Sequence, residues 1–211
     1  EAIVSAIAPA CPERAMAGWG KRFRIAIKGD DPRNGQPFIW HMFHARPGAG
    51  ASSGGDGWHG SGEWHSAGGL KFGSVEVAET RFPLYFERHE YRENSGGDGQ
   101  YVGGSGCELL LHLETDEDCV VNTAGEGTTH AAAGRQGGKD GATHEYRILK
   151  PDGSARVLKT KEEGIPVKAR SVFDVRSGGG GGWGAPSDRP SDARSTDSQK
   201  ELPPLVSGGS A

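Results

Sequence analysis

The sequence predicts a mainly β fold with long glycine-rich loops, a short N-terminal helix and a disordered C-terminal tail. Three observations carry this. Short runs of alternating polar and apolar residues recur with turn signals between them. The glycines lie in clusters that separate those runs. Beyond residue 186 the chain is Ser, Asp, Arg, Pro and Gln, with almost nothing to bury. A chain of 211 residues suits one domain, or one and a part. We divide it into a folded region, 1–186, and a polar tail, 187–211.

Taken in order, residues 1–8 favour a helix that stops at Pro9-Ala10-Cys11-Pro12, where proline cannot continue it. Residues 13–17 could add one helical turn. Arg22-Phe23-Arg24-Ile25-Ala26-Ile27-Lys28 alternates as a half-buried strand does. The turn-forming Gly29-Asp30-Asp31-Pro32-Arg33-Asn34-Gly35 then leads into a returning strand at 37–43. Residues 46–69 form a long loop whose Trp58, Trp64 and histidines argue against plain disorder. Residues 74–80 and 83–91 read as extended. So do 107–115 and 119–122, on either side of the acidic Asp116-Glu117-Asp118. A second glycine-rich loop fills 125–141. Residues 145–149 and 155–158 pair across Lys150-Pro151-Asp152-Gly153-Ser154. Residues 167–175 are the last strand.

Composition narrows the class. Gly 36 and Pro 12 together approach a quarter of the chain, and hydrophobic residues reach only 34%. This describes a loop-heavy domain with a modest core, one that leans on a partner. A net charge of −4 supplies no basic face for nucleic acid. The longest apolar run, residues 2–10, is too short to span a bilayer and lacks a basic flank, so no membrane is expected either. Cys11, Cys107 and Cys119 are odd in number and widely spaced, with neither a zinc pattern nor a disulfide framework. That points to a reduced, cytoplasmic protein. The chain starts at Glu1 without a methionine and reads as a fragment, a processed chain or an incomplete reading frame.

The chain is organised around Ser95-Gly96-Gly97-Asp98-Gly99-Gln100-Tyr101-Val102-Gly103-Gly104-Ser105-Gly106. Its glycines open backbone angles closed to other residues. Tyr101 and Val102 split them into two turns held between strands. A phosphate-cradling loop would need a helix N-terminus directly after it and a Lys-Ser/Thr ending. The ending is absent and no cofactor-binding residues are assigned here.

Candidate chemistry gathers in His41, His44, Asp56, His59, Glu63 and His65, since imidazole and carboxylate are ordinary ligands of divalent metals. His41, His44, His59 and His65 are the metal candidates. On a strand, His41 and His44 would face opposite sides, so they could share an ion only across a bulge or turn. Glu76 and Glu79 are a possible acid–base pair, yet they diverge on an extended segment and suit a charged face equally well. No serine stands in a nucleophile elbow. Cys107 and Cys119 lie in apolar runs, where a thiol is usually a small core residue.

Several clusters together resemble one family. Glu87-Arg88-His89-Glu90-Tyr91-Arg92-Glu93-Asn94 followed by residues 95–106 is similar to the signature of the hydantoinase B/5-oxoprolinase family. Val75-Glu76-Val77-Ala78-Glu79 with Phe82-Pro83-Leu84, and Asp56-Gly57 after Arg46-Pro47-Gly48-Ala49-Gly50-Ala51, resemble further parts of it. So do Gly134-Arg135-Gln136-Gly137-Gly138-Lys139-Asp140-Gly141 and the ending 179–182 with Trp183-Gly184-Ala185-Pro186-Ser187-Asp188-Arg189. The clusters stand in the family's order from about Pro12 to Arg189. Val102 replaces a usual Arg, Asp140 a usual Pro and Ala185 a usual Asp. Family members are far longer, and the resemblance makes residues 1–186 a hydantoinase B-like C-terminal region.

The resemblance implies a split subunit or C-terminal fragment of an ATP-dependent hydrolase opening hydantoin, 5-oxoproline or a related lactam. Its partners would be a hydantoinase A-like, ATP-using subunit and the missing N-terminal part of the B component. ATP and a divalent metal would be held by other chains or segments, and the chain alone would be inactive. The alternatives are part of an acetone- or acetophenone-type ketone carboxylase, or a non-catalytic β-rich assembly module. As residues nearest substrate or metal, Asp56, His59, Glu76 and Glu79 are the candidates.

Overall fold

The computed structural model describes residues 1–62 and 73–193. Helix α1 (Ala2–Ile7) and a 3-10 turn at Pro12–Arg14 open the chain. Strands β1 (Phe23–Asp31) and β2 (Gln36–His41) form the expected hairpin, turning at Gly35 with φ +70. Helix α2 (Val75–Arg81) leads into β3 (Leu84–Tyr91). Then follow β4 (Cys107–Leu113), β5 (Cys119–Gly125), β6 (Glu145–Leu149), β7 (Ala155–Val157), β8 (Lys161–Val167) and β9 (Val172–Arg176). They build two antiparallel sheets, ordered β2-β1-β5-β8 and β3-β4-β9-β6-β7.

One apolar cluster joins the sheets. Ile25, Ile27, Val121, Ile165 and Val167 from the first meet Leu84, Leu109, Leu111, Tyr146, Phe173 and Val175 from the second. Alternation explains this layer: β4 reads buried, half-buried, buried along its whole length, as a sheet with one covered face requires. Phe23 and Tyr146 meet edge-on across the gap with ring centroids 3.9 Å apart. The acidic turn after β4 does not close a hairpin. It carries the chain from the five-stranded sheet to the four-stranded one.

The fold is mixed α/β, with 34% strand, and not the mainly β fold with a disordered tail that the sequence suggested. Three departures have physical causes. Residues 75–81 are helical where an extended run was expected. Ser74 caps the helix by accepting the Val77 N–H, Glu76 and Arg81 complement its dipole, and Val75 and Ala78 bury one face. Secondly, the expected last strand at 167–175 is two strands in different sheets. Arg170 at φ +62 breaks it, and the Asp118 carboxylate accepts the Ala169 N–H in the gap. The added edge strand β8 tolerates Pro166 because its outer side needs no donor.

The third departure is the tail. Pro186–Asp188 is a 3-10 turn, Arg189 is buried, and residues 191–193 are helical. The remainder of the expected tail, 194–211, lies outside the described residues. Among the described residues, no helix is long and apolar enough to cross a membrane.

Candidate functional site

Glycine-rich segments distant in sequence meet beside the sandwich. Gly104 N–H donates to the Ala49 carbonyl, Gly180 N–H to Gly104, and Gly97 N–H to Gly180, at 2.8–2.9 Å. Gly103 N–H returns to Gly97, Gly182 N–H reaches Lys139, and Ala51 N–H reaches Gly181. Four separate stretches are thereby bonded backbone to backbone with no side chains between them.

This overturns the reading that residues 95–106 need glycine for unusual angles, since none of their glycines has positive φ. Close approach is the cause. A Cβ on Gly103 would stand 2.0 Å from the Gly180 carbonyl oxygen, and one on Gly180 would stand 1.8 Å from that of Ala49. The same logic explains one unusual residue. Asp140, where the family has proline, accepts the Gly134 N–H at 2.8 Å and closes the loop through its carboxylate.

The sequence candidates hang from this bundle and from α2. Asp56 binds Arg189 through two bonds of 2.9 Å and accepts the Val102 N–H at 2.8 Å. Its oxygens hold the loop and the C-terminal segment together. His59 is exposed, accepts the Ser105 N–H through Nδ1 at 2.9 Å, and lies 5.4 Å from the Tyr91 ring. That bond leaves its proton on Nε2. Glu76 accepts the Ser74 hydroxyl at 2.5 Å, which holds its carboxyl below the usual range. Glu79 accepts the Phe86 N–H at 2.8 Å. The two share a helix rather than the extended segment expected, and each carboxylate is engaged locally.

The histidines part company. His41 is exposed at the end of β2, whereas His44 is buried against Trp40, Phe86 and His89. Burial, with His89 adding to it, pushes the His44 imidazole down to about 4. His65 and Glu63 lie outside the described residues. Among the described residues, no three His, Cys, Asp or Glu side chains gather to hold a metal ion. The described donors therefore do not by themselves form a set that fits the divalent metal implied for the complex.

Sequence reasoning missed several structural anchors. His144 is buried between Lys21 and Gly178, its Nδ1 accepting the Gly178 N–H at 2.9 Å and its Nε2 facing the Lys21 carbonyl at 2.5 Å. Burial pushes its pKa down to about 4, so the ring is neutral and can make both bonds. Arg33 grips Asp31 and donates to the last carbonyls of α2, Glu79 at 2.9 Å and Thr80 at 3.3 Å. Arg189 did leave a signal, because it stands within the glycine-rich ending that carried the family resemblance.

A cleft of about 770 Å³ lies between α2 and β2. Its walls include Ile39, Trp40, Phe43, Val77, Arg24 and Arg81.

Two antiparallel sheets joined to a bundle of interbonded glycine segments define the class of protein. Residues 1–186 match the family model for hydantoinase B/oxoprolinase, and the chain belongs to that family. Among relatives, the caprolactamase subunit beta of Pseudomonas jessenii is 33% identical over 198 residues, covering 90% of this chain and 33% of its own length. The crystal structure of the ATP-dependent caprolactamase from the same organism superimposes with a TM-score of 0.72 at 28% identity. That match covers 94% of this chain and 35% of the other. A nucleotide-free acetone carboxylase structure gives a TM-score of 0.73 at 19% identity, over 90% of this chain and 29% of the other, a likeness of fold alone. The chain spans about a third of the length of these relatives.

Proposed function

We propose that this chain is the C-terminal part, or a split subunit, of the B component of an ATP-dependent enzyme that opens cyclic amides. Hydantoin, 5-oxoproline and related lactams are the substrate class. A hydantoinase A-like subunit supplies the ATP-using half. The observation that carries this reading is the family match over residues 1–186, together with 33% identity to a caprolactamase beta subunit. Within the assembly the chain is a scaffold. Asp56, Glu76 and Glu79 are spent on local hydrogen bonds, and the glycine bundle is a rigid frame for neighbouring segments. ATP and any metal are held by other segments or chains. Three cysteines without disulfide partners fit a reducing, cytoplasmic setting.

The test is a substrate panel on the complex co-expressed with its hydantoinase A-like subunit. ADP release that depends on 5-oxoproline, hydantoin or caprolactam supports the reading. ATP consumption that depends on acetone and bicarbonate, with no response to lactams, replaces it with a ketone carboxylase.

A further inference from the structure

The two sheets have four outer strands, and three are blunted against pairing. β7 is three residues long. β8 carries Pro166, a Gly164 at φ +63 and the charged Lys161, Glu162 and Glu163. The pairing of β3 shifts between Phe86 and Arg88. Such devices keep an edge from recruiting another strand. β2 pairs with β1 in unbroken register from Gln36 to His41, and past Pro37 no such device interrupts it.

Beside that edge is the cleft against α2. Ile39, Phe43 and Val77 line it and are 62%, 46% and 47% exposed. Apolar side chains so exposed around one depression mark an interaction surface. The polar lining is of one sign. Arg24, Arg46 and Arg81 supply its charge, and no carboxylate lines it among the described residues. A second copy seated through the same patch would bring like charges together, as a two-fold interface pairs each patch with itself. An occupant with apolar side chains and a carboxylate satisfies the walls.

We infer that this cleft and the β2 edge receive a segment of the family polypeptide lying outside this chain. The inference rests on the assembly reading above. Its quantitative support is length: the matched region is only 33% of the caprolactamase beta subunit, so most of a homologous polypeptide needs a surface to pack on. The segment adds a strand to β2 through backbone bonds and seats its apolar residues between Ile39 and Val77. Its carboxylate faces Arg81.

The experiment uses residues 1–211 and, as probe, the unmatched remainder of the Pseudomonas jessenii caprolactamase beta subunit expressed as a separate polypeptide. Binding is read by titration, and amide hydrogen exchange is followed at residues 36–41. We expect association, slowed exchange along β2, and a loss of about tenfold or more in affinity for Ile39→Asp, Val77→Asp and Arg81→Glu. Val157→Asp, on the exposed edge of the other sheet, should bind as the unaltered chain does. Thermal melts of each variant guard against misfolding. Equal binding by Ile39→Asp and Val77→Asp, or unchanged exchange along β2, overturns the docking surface while leaving the assembly reading standing. No association of the unaltered chain with a remainder that circular dichroism shows to be folded overturns the docking surface, while the assembly reading stands or falls on lactam-dependent ADP release.

Discussion

Asp56 and Arg189 stand 133 positions apart in the chain and meet in two parallel bonds of 2.9 Å, with the Asp56 carboxylate also taking the Val102 N–H. The guanidinium is buried while the carboxylate keeps partial access to water. This pair ties the 3-10 turn at Pro186–Asp188 to the central glycine loop, so residues 187–189 belong to the folded body. Asp56→Ala leaves a buried cation without its bidentate partner, and we expect a loss of about 2–3 kcal/mol in urea unfolding. Arg189→Lys, which keeps the charge but cannot form the fork, should lose less than Asp56→Ala does. If Asp56→Ala unfolds at the same urea concentration as the unaltered chain, the clasp is ornamental.

Glycine serves two purposes here, and substitution separates them. Gly103→Ala must push a methyl group into the Gly180 backbone, where neither side can yield, and should cost more than about 3 kcal/mol or prevent soluble expression. Gly35→Ala meets nothing within 4 Å and suffers only from its φ of +70, a cost of about 1 kcal/mol. Equal midpoints for the two variants would refute the close-approach account.

Buried neutral histidines make the fold sensitive to acid. His44 and His144 both lie near 4 in the folded chain, below the ordinary value of about 6.5. The unfolded chain therefore binds more protons between these limits, and stability falls as pH drops from about 6.5 to about 4. The loss is roughly 3 kcal/mol per ring and levels off below that window. His144→Gln should flatten part of the slope. A stability curve constant over this range would contradict the assignment of both rings as neutral.

Thiol chemistry gives a fourth check. Burial pushes the Cys107 thiol up to about 12 and raises Cys119 as well, whereas Cys11 is half-buried near the N-terminal helix. Cys107 is enclosed completely and Cys119 nearly so. A thiol reagent at neutral pH should label Cys11 in the folded chain, and all of the cysteines once urea unfolds it. Rapid labelling of Cys107 under native conditions would show that the core opens at β4.

Much of the sandwich was legible because a half-covered strand alternates, as β1 and β4 do. Helix α2 was not, for Val75 and Val77 look like a strand until Ser74 is recognised as a cap and Ala78 as the second buried position. The break at Arg170 was hidden because nothing in the local pattern reveals that Asp118 reaches across to Ala169. The glycine clusters announced that the backbone was special without saying how. Close packing is a property of segments far apart in sequence, and only their convergence separates it from turn geometry. For the site, the residue types singled out were reasonable ligands, yet partners such as Arg189 and Phe86 decide what Asp56 and Glu79 do.

We propose that this chain is a scaffold portion of an ATP-dependent cyclic amide hydrolase. This reading is tested most directly by measuring lactam-dependent ATP hydrolysis by the hydantoinase A-like subunit and the rest of the B component, with and without residues 1–211. Turnover is expected only when the chain is present and co-elutes with the others on size exclusion. Turnover that is unchanged without it, or a chain that stays a separate monomer in an active mixture, would contradict the account.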